Sequence, residues 1–377
     1  MQYITLNFRN NACKVNSDEV AEIREKIVQT NLNMKKLITA RRKFIKDTTI
    51  AGIGFGVVGN ITSLFRKNIL KGKRIGIIGL DTSHSIEFTK ALNNPDAGPE
   101  FTGYKVVSAY PKGSSDIESS VKRIPGYTEE IKKYGVKIAE SIKELLDNVD
   151  AVLLETNDGR LHLEQALSVF KAGKPVFIDK PVAASLKNVI AIYEAANQFH
   201  VPVFSSSSLR YIQGTKQIAQ GMYGKVLGVD VYSPAYLEKT HPDLFWHGIH
   251  GVEMLYTIMG TGCKKIIRVT TQDTDIVVGE WEDQRIGNFR GLRSGKLEYG
   301  GTVYAETAIV TLGTNPGYNP LLQQIIKFFE TGESPVDPKD TLEIYAFMEA
   351  ADESKRKGGI SVNIENILQR AKQSKIN

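Results

Sequence analysis

The residues best suited to chemistry fall at two places. In AGKPVFIDKPVA, residues 172–183, Gly173 can end a helix, Val176–Ile178 reads as a strand, and Lys180 lands at the strand's carboxyl end. A lysine there can donate a proton or stabilise an alkoxide, because desolvation moves its pKa readily; most lysines are simply solvated. The second place is HPDLFWHGIH, residues 241–250, where His241, Asp243, His247 and His250 are four potential metal ligands within ten residues. On a helix His247 and His250 lie about 60° apart and can share an ion, with Glu253 rotated about as far again. A metal-assisted hydrolase or lyase needs such a set plus an open position for water, although the spacing matches no standard zinc signature. Tyr211, Tyr236, Phe245 and Trp246 can stack on a pyranose ring or fill the core. Arg210 can contact substrate hydroxyls or cap the helix that follows.

An alternating scaffold must hold these groups. The apolar run Arg74–Leu80 reads as a buried strand, and Asp81-Thr82-Ser83 offers N-cap oxygens to a helix through Asn94. Further strands are expected at Lys105–Tyr110, Val149–Glu155, Val176–Ile178 and Val201–Ser205, with helices around 141–147, 160–172 and 186–199. Strands alternating with helices imply a doubly wound parallel sheet, which binds ligands at the carboxyl ends of its strands. From Val226 the pattern changes to long, partly alternating segments at 226–236, 263–272, 274–282, 284–292 and 302–312, which predict an antiparallel sheet with one face on helices. Residues 319–331 and 340–357 are helical again. The expected organisation is an extension over 1–70, a Rossmann α/β domain over 71–206, and an α+β domain over 207–377 with an open, mainly antiparallel sheet. Its C-terminal helices are placed against the first domain.

The stretch VDAVLLETNDGRLHLEQALSVFKAGKPVFIDKPVA carries Thr156, Asn157, His162, Ala172-Gly173-Lys174 and Asp179-Lys180-Pro181. LRYIQGTKQI, GMYGKVLGV, HGIHGVEMLYTIMG and TLEIYAFMEAADESKRKGGISVNI follow in order. In order and spacing, roughly 72–365 resembles the glucose–fructose oxidoreductase / inositol dehydrogenase / rhizopine-catabolism (Gfo/Idh/MocA) family. The resemblance implies NAD or NADP with its nicotinamide above the open sheet, and hydride transfer at a secondary alcohol of a sugar or cyclitol. It makes Lys180 the catalytic lysine and His250 the proton relay, with His247 beside it. From the residues alone, His250 opens the apolar helix Val252-Met254-Leu255-Ile258, where a capping or core histidine fits as well. The expected cofactor set is Gly79, Asp81, Thr82, Ser83, His84, Lys112, Thr156, Asn157, His162, Asp179 and Lys180. Arg210, Tyr211, Trp246 and Glu253 are the expected substrate set.

The chain departs from the family pattern at three points. The turn that should read G-x-G-x-x-G is Gly79-Leu80-Asp81-Thr82-Ser83-His84. A carboxylate at the second glycine's place repels a phosphate by up to about 4 kcal/mol at 4 Å and an effective dielectric near 20, unless Asp81 turns away or is paired. A protonated His84 is one such partner, and an Asp/Ser N-cap is the plainer role for the turn. After the second strand, Tyr110-Pro111-Lys112-Gly113-Ser114-Ser115 stands where an acid usually meets the ribose. Lys112 there suits a 2′-phosphate, hence NADP, or a polar surface loop. In the catalytic helix, Trp246 replaces an aspartate and Glu253 replaces the final one.

Composition bounds these readings. With 41 % hydrophobic and 24 % charged residues over 377 positions, the chain is neither disordered nor a small disulfide scaffold. Cys13 and Cys263 lie far apart without a C-x-x-C spacing, which excludes thiolate zinc and redox motifs. The net charge of +6 resolves into +10 over residues 1–75 and −4 over the rest, so nothing in the body calls for a nucleic-acid partner. RRKFIKDTTIAGIGFGVVGN, residues 41–60, resembles a twin-arginine export signal, although no clean A-x-A site follows and Met34 is an alternative start. Its apolar run is too short to span a membrane. The sequence therefore predicts an exported, periplasmic protein that holds its nucleotide tightly, with no membrane span after signal removal. A cytoplasmic protein is the alternative. The expected partners are a small carbohydrate and, through the open sheet, further copies of the chain. The leading function is a sugar oxidoreductase; a metal-assisted carbohydrate hydrolase or lyase and a non-catalytic sugar-binding protein are the alternatives.

Overall fold

A computed structural model describes residues 73–374 apart from Thr102 and Pro316. The Arg41-Arg42 block, the apolar run after it, Met34 and Cys13 lie outside the described residues.

Strand β1 (Arg74–Ile78) has Ile75, Ile77 and Ile78 fully buried, as a strand covered on both faces must be. It is flanked by β2 (Lys105–Tyr110) and β4 (Ala151–Leu154), with β3 (Lys137–Ile138), β5 (Val176–Ile178) and β6 (Val203–Phe204) completing the sheet. The order is β3-β2-β1-β4-β5-β6 and every pairing is parallel. Strand order reverses between β1 and β4, the switch point where a doubly wound sheet opens a crevice. Helix α1 (Ser83–Asn93) follows β1 and is capped by Thr82, whose hydroxyl accepts from the His84 N–H at 3.1 Å. Helix α2 (Glu118–Lys132) follows β2; its polar sequence and internal Pro125 give no helical signal of their own. Helices α3 (Ile142–Asp147), α4 (His162–Lys171) and α5 (Leu186–Phe199) lie close to their expected places.

After the short α6 (Thr215–Ala219) comes a seven-stranded sheet. Its strands are β7 (Val226–Pro234), β8 (Cys263–Thr270), β9 (Thr274–Trp281), β10 (Ile286–Leu292), β11 (Gly300–Ala305), β12 (Ile309–Thr311) and β13 (Val362–Asn363), in the order β12-β11-β7-β10-β9-β8-β13. The sheet is mainly antiparallel, as expected, with one parallel pair. Helix α7 (Ile249–Met259) and the β8–β9 hairpin intervene, so β10 returns parallel to β7, Ile286 beside Gly228 and Leu292 beside Pro234. The segment 302–312 is two strands, turned where the Ala305 N–H donates to the Ala308 carbonyl. Val229, Val231, Val277, Phe289 and Val303 project from one face into a core with α7 and α9 (Pro338–Arg356). Helix α8 (Asn319–Thr331) buries Leu321, Leu322, Ile325 and Phe328 with Ile75, Ile77, Phe177 and Phe204 of the first sheet. Helix α10 (Ile364–Gln373) ends the described chain. No helix among the described residues is long and apolar enough to cross a membrane.

Candidate active site

A cavity of about 430 Å³ opens at the carboxyl ends of the parallel strands. Thr82, Ser83 and His84 from the first turn of α1, Arg123 from α2, Asn157 after β4 and Lys180 after β5 meet there with Trp246, His247 and His250. The volume is within the range of small-molecule sites.

His250 sits at the second residue of α7, just after a π-helical turn at Leu244–Gly248. Its Nδ1 lies 2.7 Å from the Ser207 hydroxyl, which also accepts from the Leu209 N–H at 3.1 Å. Burial, followed by the charge of Lys180, pushes its pKa well below 6.5, so the ring is neutral. His247 Nδ1 donates to the Pro234 carbonyl at 3.2 Å, which leaves Nε2 with a lone pair. Burial and Lys180 lower its pKa to about 4. The two rings are 5.1 Å apart. Lys180 is 9 % exposed and is joined to Pro181 by a cis peptide bond.

Asp81 is turned away from this cavity. Its carboxylate is fully buried and accepts from the Asn157 N–H at 2.9 Å and the Ser114 N–H at 3.4 Å. It lies so close to Gly113 that a Cβ there would be 2.1 Å from Oδ2. Burial raises its pKa, and the donated N–H bonds oppose the rise. Its partner is backbone, not His84. His84 instead faces Asp179, with Nδ1 3.0 Å from Oδ2, and Glu155, with Nδ1 3.8 Å from Oε2. Burial and then Asp179's charge push the Glu155 carboxyl up. Burial also works to raise Asp179, but His84 and Lys180 outweigh it and hold that carboxyl down. Gly79 has φ +92°, and a side chain there would strike the Thr156 backbone at 2.5 Å, so the first glycine is obligatory.

Other expected site residues are placed elsewhere. His162 is fully buried and does not line the cavity; its Nε2 is 2.6 Å from the Thr156 carbonyl and its Nδ1 3.1 Å from that of Val182, so it joins two turns. Thr156 lies behind Gly79, outside the cavity lining. Lys112 is exposed and apart from the cavity. Arg210 and Glu253 pair with each other, Nε to Oε1 at 2.7 Å, with Ser206 donating to the same carboxylate at 3.0 Å. That pairing removes both from the lining, and Tyr211 borders a separate recess with Arg210. Of the aromatics, Trp246 and Tyr236 line the cavity, whereas Phe245 is fully buried against Tyr345. The metal set His241, Asp243, His247 and His250 is not assembled. Asp243 is held by Arg268 and Lys355, and His241 Nε2 faces Asp158 at 3.4 Å. Sequence reading missed Arg123, Tyr318 and Glu155. The first two have no motif, whereas an acid closing the apolar run AVLLE was a visible signal.

The residues fit a dinucleotide at the turn. With Asp81 folded beneath the loop, its charge is not presented to a phosphate. Arg123 Nη1 lies 3.4 Å from the Asp81 carbonyl, which sets a guanidinium over the turn beside the first N–H groups of α1.

Residues 73–207 match the family model for the Gfo/Idh/MocA oxidoreductases, described as an oxidoreductase family with an NAD-binding Rossmann fold. These residues form a Gfo/Idh/MocA-family domain. An uncharacterized oxidoreductase of Streptococcus pneumoniae serotype 4 is 26 % identical over 180 residues, 42 % of this chain and 48 % of that one. A 1,5-anhydro-D-fructose reductase of Ensifer adhaerens is 31 % identical over 143 residues, 36 % of this chain and 40 % of that one. The chain thus spans less than half the length of the curated relatives it matches. The crystal structure of scyllo-inositol dehydrogenase from Lactobacillus casei with NAD(H) and scyllo-inositol superposes with a TM-score of 0.63 at 16 % identity. It covers 78 % of this chain and all of that one, so the Gfo/Idh/MocA domain and the sheet after it share that fold.

Proposed function

We propose that the protein transfers hydride between NAD or NADP and a secondary hydroxyl of a sugar, glycoside or cyclitol. The observation that carries this is the meeting of Lys180, His247 and His250 with the turn of a Gfo/Idh/MocA domain in one cavity. Thr82, Ser83 and Arg123 would hold the pyrophosphate, and Asn157 and Lys180 the nicotinamide end. When bound, the nicotinamide supplies the hydride acceptor or donor. The Lys180 ammonium stabilises the developing alkoxide, and His250 takes the hydroxyl proton at Nε2 while Ser207 holds Nδ1. Trp246 and Tyr236 give the sugar apolar faces.

The test is a panel of polyols and sugars assayed with NAD and NADP, in the wild type and in Lys180→Ala. Nucleotide reduction that disappears in Lys180→Ala supports the reading; no reduction with any substrate, or equal rates in the variant, refutes it. Lys112 stands ready for a 2′-phosphate, and a preference for NADP that Lys112→Ala abolishes would reveal that role. The Arg41-Arg42 block supports export, read by whether Arg41→Lys/Arg42→Lys retains the protein in the cytoplasm. Exposed Leu227, Ile267, Val269, Ile286 and Ile309 on the second sheet support association of copies.

A further inference from the structure

Three side chains converge where β1, β4 and β5 end. His84 opens α1, Glu155 follows β4 and Asp179 follows β5, so each comes from a different crossover of the same sheet. One ligand atom from each lies within 4.8 Å of the others. His84 is 5 % exposed, and both acids are fully buried. Buried polar groups are almost always hydrogen-bonded. Here His84 Nδ1, both Glu155 oxygens and both Asp179 oxygens have no hydrogen-bond partner. His84 Nδ1 is 3.0 Å from Asp179 Oδ2 without the alignment of a hydrogen bond between them.

We infer that His84, Glu155 and Asp179 form a site for one divalent first-row cation, with zinc favoured by the donor types. Zinc takes imidazole nitrogen and carboxylate oxygen at about 2.0–2.2 Å, which places tetrahedral ligand atoms about 3.4 Å apart. The observed 3.0 and 3.8 Å bracket that separation. The competing arrangement is a direct pairing of His84 with Asp179 at 3.0 Å; it uses no ion, but it leaves both buried Glu155 oxygens without directed bonds. His84 also borders the cavity where the substrate is proposed to bind, whereas Glu155 and Asp179 lie behind it. The site is distinct from the HPDLFWHGIH set and does not depend on which nucleotide binds.

The test uses the untagged full chain, stripped with chelator and dialysed against buffered Zn²⁺, with bound metal counted by mass spectrometry. Co²⁺ substitution gives a second readout, because tetrahedral nitrogen–oxygen coordination produces a visible absorption. The expected result is one metal per chain, a higher melting temperature with Zn²⁺ than without, and affinity at least tenfold weaker in His84→Gln and Glu155→Gln. The wild-type melting shift keeps the test decisive should either variant fail to fold. A chain that retains no metal and melts alike with and without Zn²⁺ overturns the site, as does undiminished binding in both variants.

Discussion

Asp81 shows how one side chain reorganises a turn. Its carboxylate takes the N–H groups of Ser114 and Asn157, tying the loops after β2 and β4 to β1. Asp81→Ala should cost about 1–3 kcal/mol, because two buried donors lose their acceptor; Asp81→Asn, which keeps one oxygen, should cost less. Paired denaturant titrations measure both. The histidines set the pH response. Burial holds His250 well below 6.5 and His247 at about 4, whereas in the unfolded chain both take protons near 6.5. Their share of stability is therefore full above pH 6.5 and is lost as pH falls toward 4. The melting temperature should drop across that window, less steeply in His247→Gln. At this scale the sequence singled out Lys180 and His250 by motif, and both line the cavity. It could not reveal that Asp81 folds under its own loop, since that depends on two N–H groups 33 and 76 residues away.

Among the elements, the approach of α7 to the second sheet decides where His250 points. Gly251 packs on Phe289 so closely that a Cβ would lie 2.2 Å from the ring and 2.8 Å from Ser233 Oγ. Gly251→Ala should therefore destabilise by about 1–3 kcal/mol and displace the neighbouring histidine. Thermal melts and kcat read the two effects. The parallel strands were legible because burial on both faces writes continuous apolar runs such as RIGII and AVLL. Helix α2 was not, since its buried positions are few and Pro125 breaks the pattern, yet it delivers Arg123 to the turn. The parallel β7–β10 pair was equally hidden, because strand direction is set by the connection and not by alternation.

For the molecule as a whole, the proposed hydride transfer needs both halves: the turn and Lys180 come from the parallel sheet, His247 and His250 from the helix over the second. Removing Lys180 should reduce kcat/KM by ~10²-fold or more while leaving circular dichroism unchanged. Should copies associate through the exposed sheet face, light scattering will give a mass above that of one chain, and Ile309→Asp will lower it. The central claim is that a nicotinamide nucleotide occupies the cavity although an aspartate stands at the second glycine. The chain has only two tryptophans, and Trp246 lines that cavity while Trp281 is buried elsewhere. Titrating NADH and NADPH into the nucleotide-stripped protein should quench tryptophan emission saturably with sensitised nicotinamide emission, and Trp246→Phe should lose most of that transfer. Saturable transfer that depends on Trp246 is the predicted result. No saturable change up to millimolar concentrations of either nucleotide would contradict the account.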